Sequence, residues 1–426
     1  MTIKVFPSSV NGTLRAPASK SVMQRVLAGA LLHKGTTEII NPGFSNDDNA
    51  ALELINALGA SSSYHNEVLV ISSPGFHKGS VTNQLSVSCG ESGLAARMFA
   101  PIVAMANASL TLTAQGSLQQ RSMVLLETLL PPLGVEIKTT QGKFPIRIRG
   151  PLTPRDMRMD GSLSSQFLTG LLFAFGATAT EPFTISVDGL KSKPYIDLTI
   201  KIMADFGMVV SQNKYTQFTV YPRVQKQELI RLTVEGDWSN AAFLLVAGAI
   251  AGRTELSGLQ MDSLQADRAI MEVLKACGAG VEINNESIIV HKERMSAFHF
   301  DATDCPDLFP PLVALASYCN GRSVIKGVSR LAGKESDRAK TLQNIFSKMG
   351  IKICFENDDM IIIGGIINSA AVTSHNDHRI AMAAAVAALG GSGPVIIENA
   401  EAINKSYPSF YRDLEILGAT TEGYDT

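Results

Sequence analysis

Cysteine is scarce in this chain: Cys89, Cys277, Cys305, Cys319 and Cys354 are the only five in 426 residues, and no two form a C-x-x-C pair. An odd, scattered set indicates neither a disulfide framework nor a zinc site, so reduced and mostly buried thiols are expected. Excess charge of one sign is also lacking. The 37 basic and 39 acidic residues leave a net charge of −2, which gives no global attraction to nucleic acid or to an anionic membrane, so any anion binding must be local. The longest apolar runs, such as residues 241–252 and 380–389, are too short to span a bilayer and suit buried helices. The opening residues Met1-Thr-Ile-Lys-Val-Phe-Pro7 lack the charged and apolar segments of an export signal and read as a strand entering a turn. A cytoplasmic protein is expected. No Walker loop, G-x-G-x-x-G or H-E-x-x-H occurs.

What the chain does have is length, apolar content and a repeat. With 426 residues, 45% hydrophobic and 18% charged, it can bury sizeable cores in two or more domains. A glycine follows the end of a predicted helix at Gly59, Gly134, Gly207, Gly278, Gly350 and Gly418, at successive separations of 75, 73, 71, 72 and 68 residues. A period near 70 marks an internal repeat. Each copy reads as an almost wholly apolar helix, a short strand, a loop, an amphipathic helix ending at the glycine, and usually a hairpin. In the first copy these are residues 22–32, 36–40 and 49–58, with a hairpin around Asn66. In the third they are 166–175, 183–187 and 195–206, with a hairpin from 208–210 and 218–221. In the fifth they are 308–318, 323–328 and 337–349, with paired runs at 351–354 and 360–363.

A helix apolar on every side must be surrounded by protein. Six copies can therefore make two globules, each burying three such helices, with the break near residues 232–236. The sixth copy lacks its hairpin, so residues 2–6 are expected to pair with that end. The predicted domains are residues 1–18 with 236–426, and residues 19–235. If the buried helices run parallel, their N-termini share one end of each globule, where helix dipoles favour anions.

The side chains at these helix starts fit that expectation. The first copy offers Lys20, Ser21 and Arg25; the second, Gly93 and Arg97 with Arg121 in its loop. The third offers Ser164, Ser165 and Gln166, all expected to cap their helix, then Ser192, Lys193 and Tyr195. The fourth has Asp237, read as an ordinary cap. The fifth supplies Asp307 and the run Lys334-Glu-Ser-Asp-Arg338, and the sixth Asn376-Asp-His-Arg379 and Lys405. Cations at these sites outnumber the evident acids, Asp307 and Glu335. That suits substrates with several negative charges and carboxylates left for proton transfer.

Five ordered motifs, Ala18-Ser-Lys20-Ser21 with Arg25, Ser164-Ser-Gln-Phe-Leu168, Ser192-Lys-Pro-Tyr-Ile-Asp197, Lys334-Glu-Ser-Asp-Arg338 and Asn376-Asp-His-Arg379, resemble those of the 3-phosphoshikimate 1-carboxyvinyltransferase (EPSP synthase) family. The resemblance spans the whole chain. It implies an α/β fold in two domains, an inside-out α/β barrel of six βαβαββ repeats, three per domain, with buried parallel helices and the active site in the cleft between domains. It also implies transfer of the enolpyruvyl group of phosphoenolpyruvate to the 5-hydroxyl of shikimate 3-phosphate. By the same resemblance, Lys20, Ser21, Arg25, Ser164, Ser165, Gln166, Ser192, Tyr195, Asp307 and Lys334 would bind shikimate 3-phosphate. Lys20, Gly93, Arg121, Gln166, Arg338, Arg379 and Lys405 would surround phosphoenolpyruvate, and Lys20, Asp307 and Glu335 would move protons. His378 would position Arg379 or cap its helix. No metal or organic cofactor is implied, and a monomer without nucleic-acid or membrane partners is expected.

The segment Gly90-Glu-Ser-Gly93-Leu94 departs from the family's commoner Gly-Asn-Ala-Gly-Thr, Met98 and Ser122 replace prolines, and Arg330 stands where Asn is usual. The rival activity on the same fold, UDP-N-acetylglucosamine enolpyruvyl transfer, uses a cysteine in the loop corresponding to residues 113–121, where this chain has none. A non-catalytic phosphometabolite-binding protein is the other alternative, against which Lys20, Asp307 and Glu335 argue.

Overall fold

The structure, a computed structural model, describes residues 1–224 and 227–424; residues 225–226 and 425–426, which fall within the two predicted domains, lie outside the described residues. Six four-stranded sheets carry the repeat. The third shows the plan: Met157–Asp160 lies parallel to Phe183–Asp188, and the buried helix Ser165–Thr178 crosses between them. Gln217–Tyr221 and Val209–Asn213 then follow as antiparallel neighbours. A parallel pair needs a long crossover and an antiparallel one only a turn, so the helix and hairpin positions follow from the pairing.

Three sheets borrow a strand from elsewhere in the chain. Val10–Arg15 lies parallel to Gly252–Ser257 in the fourth sheet, and Leu229–Thr233 lies parallel to Lys34–Ile40 in the first. Thr2–Val5 sits between Val395–Glu398 and Thr421–Tyr424, antiparallel to both. The sixth repeat, expected to lack its hairpin, thus keeps one hairpin strand of its own and takes the other from the chain's first residues.

The six repeat glycines all adopt left-handed backbone, with φ of 105° at Gly59, 84° at Gly134, 78° at Gly207, 88° at Gly278, 90° at Gly350 and 104° at Gly418. Only glycine takes this conformation without a Cβ penalty, which is why the position recurs. Two helices differ from expectation because of proline. The buried helix of the fifth repeat is only Phe309–Ala316, preceded by a 3-10 turn Pro306–Leu308. Pro310 and Pro311 lack N–H donors and fit only the first turn. In the second repeat, Pro131 and Pro132 stop the helix Leu126–Leu129 and leave a 3-10 turn Pro131–Leu133.

The chain divides into two compact units, Met1–Pro17 with Glu235–Thr426, and Ala18–Val234. In the unit of residues 18–234, Lys20–Leu32, Gly93–Val103 and Ser165–Thr178 pack on one another. In the other, Trp238–Ala251, Phe309–Ala316 and His378–Leu389 do the same, and every residue of all three is buried. Each buried Leu or Phe in these helices contributes about 1.5–3 kcal/mol. Gly170 permits a close approach of Ser165–Thr178 to Gly93–Val103: a Cβ there would fall 2.5 Å from the Met98 carbonyl oxygen. That contact sets Gln166, one turn earlier, beside Arg97. No helix among the described residues is long and apolar enough to cross a membrane.

Candidate active site

In the unit of residues 18–234, the three buried helices begin at one end. Ser92 Oγ donates to Gln24 Oε1 at 3.0 Å, and Arg97 Nη1 donates to Gln166 Oε1 at 2.9 Å, joining the first turns of all three. Ser19 caps the first helix by accepting from Val22 N. Lys20, its first residue, puts Nζ 3.0 Å from Asp47 Oδ2. Arg25 is 1% exposed, and donates to Thr199 Oγ1 at 2.8 Å, the Ser21 carbonyl at 2.8 Å and the Tyr195 carbonyl at 3.3 Å. Its guanidinium also lies 5.8 Å from the Tyr195 ring centroid. Among the described residues no carboxylate pairs with Arg25. Burial lowers its pKa to about 10, so it remains a cation at neutral pH, and a buried cation of this kind favours an anionic ligand.

Of the three residues expected to cap the third repeat's helix, only Ser164 does so, accepting from Gln166 N at 3.3 Å; Ser165 and Gln166 are the first helical residues. A helix start has room for one N-cap, and Gln166 is drawn to Arg97 instead. Gly93 opens the second repeat's helix beneath two guanidiniums. A Cβ on Gly93 would lie 2.6 Å from Arg121 Nη1 and 3.0 Å from Arg97 Nη1. Ser192 is buried with φ of 55°, a strained value for a residue with a Cβ, just before the helix Pro194–Asp205.

In the other unit the predicted residues form one ionic network. Arg338 is 1% exposed and reaches three carboxylates: Nη1 to Asp307 Oδ1 at 2.7 Å, Nη2 to Glu335 Oε2 at 2.5 Å and Nε to Asp377 Oδ2 at 2.8 Å. Lys334 Nζ lies 3.2 Å from Asp307 Oδ1, Arg379 Nη2 3.3 Å from Asp307 Oδ2, and Lys405 Nζ 3.6 Å from Glu335 Oε1. Asn240 Nδ2 donates to the Ser406 carbonyl at 3.2 Å, drawing the Lys405 turn to the start of Trp238–Ala251. Asp237 caps that helix as expected. His378 does not cap its own helix. Asp377 does, accepting from Arg379 N at 3.1 Å, while His378 is the first helical residue and is buried.

A family model described as EPSP synthase (3-phosphoshikimate 1-carboxyvinyltransferase) matches residues 6–414. The chain belongs to the EPSP synthase family. It is 34% identical to the 3-phosphoshikimate 1-carboxyvinyltransferase of Clostridium novyi, covering 98% of this chain and 97% of that one. It is 36% identical to the enzyme of that name from Thermococcus kodakarensis, covering 96% and 98%. A solved EPSP synthase from Acinetobacter baumannii matches with a TM-score of 0.83 at 25% identity over 99% of each chain. The enolpyruvyl transferase NikO from Streptomyces tendae, at 16% identity over 99% of this chain and 98% of that one and a TM-score of 0.76, shares the fold.

For this EPSP synthase family member, the ionic network fixes protonation states. Burial alone would raise the Asp307 carboxyl, but Arg379, Lys334 and Arg338 hold it well below the usual carboxylate range. Burial likewise opposes the charge on Arg338, and Asp377, Glu335 and Asp307 outweigh it and raise its pKa. Asp267, which accepts from the Ser239 hydroxyl, is pushed up to about 6 by burial and by Asp307. Sequence reasoning named Asp307 and Glu335 but not the other acids that meet these cations. Asp47, Asp377 and Asp267 are partners of the named cations or lie in their field, so these helix starts are less cationic than composition suggested. The departure at Glu91 is packed against its loop: a Cβ on Gly116 would fall 2.3 Å from Glu91 Cδ. The thiol nearest this segment, Cys89, is buried and pushed up to about 12 by that burial, which makes it unreactive.

Proposed function

We propose that the protein transfers the enolpyruvyl group of phosphoenolpyruvate to the 5-hydroxyl of shikimate 3-phosphate. The hydroxyl oxygen attacks carbon two while the methylene carbon gains a proton, giving a tetrahedral intermediate that carries both the ether and the phosphate. Loss of phosphate and of a methyl proton then restores the vinyl group. A base, an acid and stabilised phosphates are the requirements.

Asp307 takes the hydroxyl proton. Free of substrate it is a weak base because three cations hold it ionised; anionic substrates compete for those cations and raise its basicity. Lys20 or Glu335 protonates the carbon. Arg25 and Ser21 hold the shikimate carboxylate and ring, and Ser164, Ser165 and Ser192, with Tyr195 and Gln166 nearby, hold the 3-phosphate. Arg121, Gln166, Arg338, Arg379, Lys405 and the Gly93 backbone surround phosphoenolpyruvate, and Lys334 completes the charge around Asp307. The protein works in the cytoplasm as a monomer, with small-molecule partners only.

The observation that carries this reading is the Asp307 carboxylate gathered with Lys334, Arg338 and Arg379. Phosphate release by the purified protein tests it. Release with phosphoenolpyruvate and shikimate 3-phosphate, and none with UDP-N-acetylglucosamine, is expected. Release only with the nucleotide sugar, or with neither acceptor, would overturn the acceptor or the activity.

A further inference from the structure

The first residue of a helix is an unfavourable place for a cation, because the N-terminal end of the dipole repels it and a lysine stem gives up about 2 kcal/mol of rotamer freedom to stay there. Lys20 nonetheless begins the helix Lys20–Leu32 with its side chain only 16% exposed. Its ammonium is bonded to the carboxylate of Asp47, at 3.0 Å and itself 5% exposed. Asp47 stands in the first turn of the helix Asn46–Ala57, where the dipole favours an acid.

The cap of that second helix does not need Asp47. Ser45 Oγ accepts from Asp48 N at 3.2 Å, while Asp48 Oδ2 accepts from Ser45 N at 3.1 Å and from Ser45 Oγ at 2.6 Å. This reciprocal box satisfies the helix start. The two adjacent acids therefore divide the work, Asp48 closing the helix and Asp47 reaching Lys20. Asp47 Oδ1 is also buried and has no hydrogen-bond partner among the described residues. Keeping such an acceptor away from water is unfavourable, and the Lys20 bond is the interaction that offsets it.

We infer that Asp47 is a positioning residue for the Lys20 ammonium, holding it at the start of the first buried helix. The inference rests on the reading that Lys20 meets phosphoenolpyruvate. It ties two helices of one repeat through a rigid capped turn, so the ammonium is set before substrate arrives. Asp48 also feels the charge of this ammonium.

The test is kinetic. Asp47→Asn keeps the shape and removes the charge. It is expected to lower kcat/KM for phosphoenolpyruvate about tenfold or more while KM for shikimate 3-phosphate stays within about threefold. Losing the carboxylate also makes the ammonium easier to deprotonate, so the basic limb of the pH profile moves to lower pH. An unmoved basic limb with kcat/KM within about twofold of wild type would overturn the inference. Should Asp47→Asn fail to fold, Asp47→Ser retains a residue suited to a helix start. Faster modification of Lys20 by trinitrobenzenesulfonate in that variant, read by mass spectrometry, supports the inference, and an unchanged rate overturns it. Lys20→Met separates the two readings. Wild-type-like turnover there sinks the role of Lys20 itself, whereas a dead Lys20→Met beside a normal Asp47→Asn sinks only the inference about Asp47.

Discussion

Arg338 Nε donates to Asp377 Oδ2 at 2.8 Å, with side-chain exposures of 1% and 0%. The bond joins the start of Arg338–Lys348, in the fifth repeat, to the N-cap of His378–Leu389, in the sixth. A lysine cannot copy it, because one ammonium does not reach three carboxylates in a planar fork. Arg338→Lys is expected to lower stability by about 3 kcal/mol, the lower range for breaking a buried ion pair. It should also raise KM for phosphoenolpyruvate. Denaturant unfolding and steady-state kinetics check both.

Asp307→Ala removes the proposed base but leaves Arg338 bonded to Asp377 and Glu335. The fold should persist while kcat falls about 10²–10⁴-fold, the usual contribution of a general base. Near-UV circular dichroism and turnover measured on the same sample decide it, and wild-type turnover would remove Asp307 from the mechanism.

The two serines of the third repeat should separate. Ser164→Ala removes the helix cap and is expected to cost about 1 kcal/mol of stability as well as affinity. Ser165→Ala, which removes no cap, should lower shikimate 3-phosphate affinity with little change in melting temperature. Together they are expected to weaken binding by about 1–3 kcal/mol. Calorimetry that finds unchanged affinity in the double variant would remove both from the phosphate site.

Gly93→Ala should push the Arg121 guanidinium, since the added methyl would lie 2.6 Å from its Nη1. The side chain is long and its far end can move, so the fold is expected to survive. KM for phosphoenolpyruvate should rise several-fold with KM for shikimate 3-phosphate nearly constant, as two-substrate kinetics would reveal.

Asp48 gives a pH prediction. Burial is the main reason its pKa rises to about 7, against the opposing pull of the Ser45 hydrogen bond and Lys20. An acid with a folded pKa above its unfolded value binds its proton more tightly in the folded state. Its contribution to stability therefore improves as pH falls from about 7 toward about 4 and is poorest above 7. Asp48→Asn keeps an acceptor for Ser45 and no charge. It should stabilise the protein by on the order of 2 kcal/mol at about pH 8, with the gain shrinking below about pH 7 and vanishing near pH 4, in urea unfolding.

What the sequence revealed was whatever a few neighbouring residues decide. The repeat glycines were readable because a left-handed helix end demands glycine at one position. The buried helices were readable because apolar residues on all sides leave no water-facing choice. The pairing of residues 2–5 with the last repeat was inferred from a hairpin too few. The ion pairs were not legible. Asp47 lies 27 residues from Lys20, and Asp377 39 from Arg338, and nothing local to either acid says which cation it meets. Apolar content alone does not show that the prolines at 310 and 311 confine the fifth buried helix to Phe309–Ala316. Ser165 and Gln166 have residue types that suit a cap, but the backbone gives that place to Ser164 alone.

The strands borrowed across the chain also bear on how it folds during synthesis. The unit Ala18–Val234 contains every strand of its three sheets, including Leu229–Thr233. It can close as soon as those residues leave the ribosome. Thr2–Val5 and Val10–Arg15 emerge earlier but wait for partners, Val10–Arg15 until residue 257 and Thr2–Val5 until residues 395–424 have followed. Domains fold as units during translation, so these two strands, made before the unit Ala18–Val234, belong to the unit completed after it, and their unpaired edges need shielding from other nascent chains in the interval.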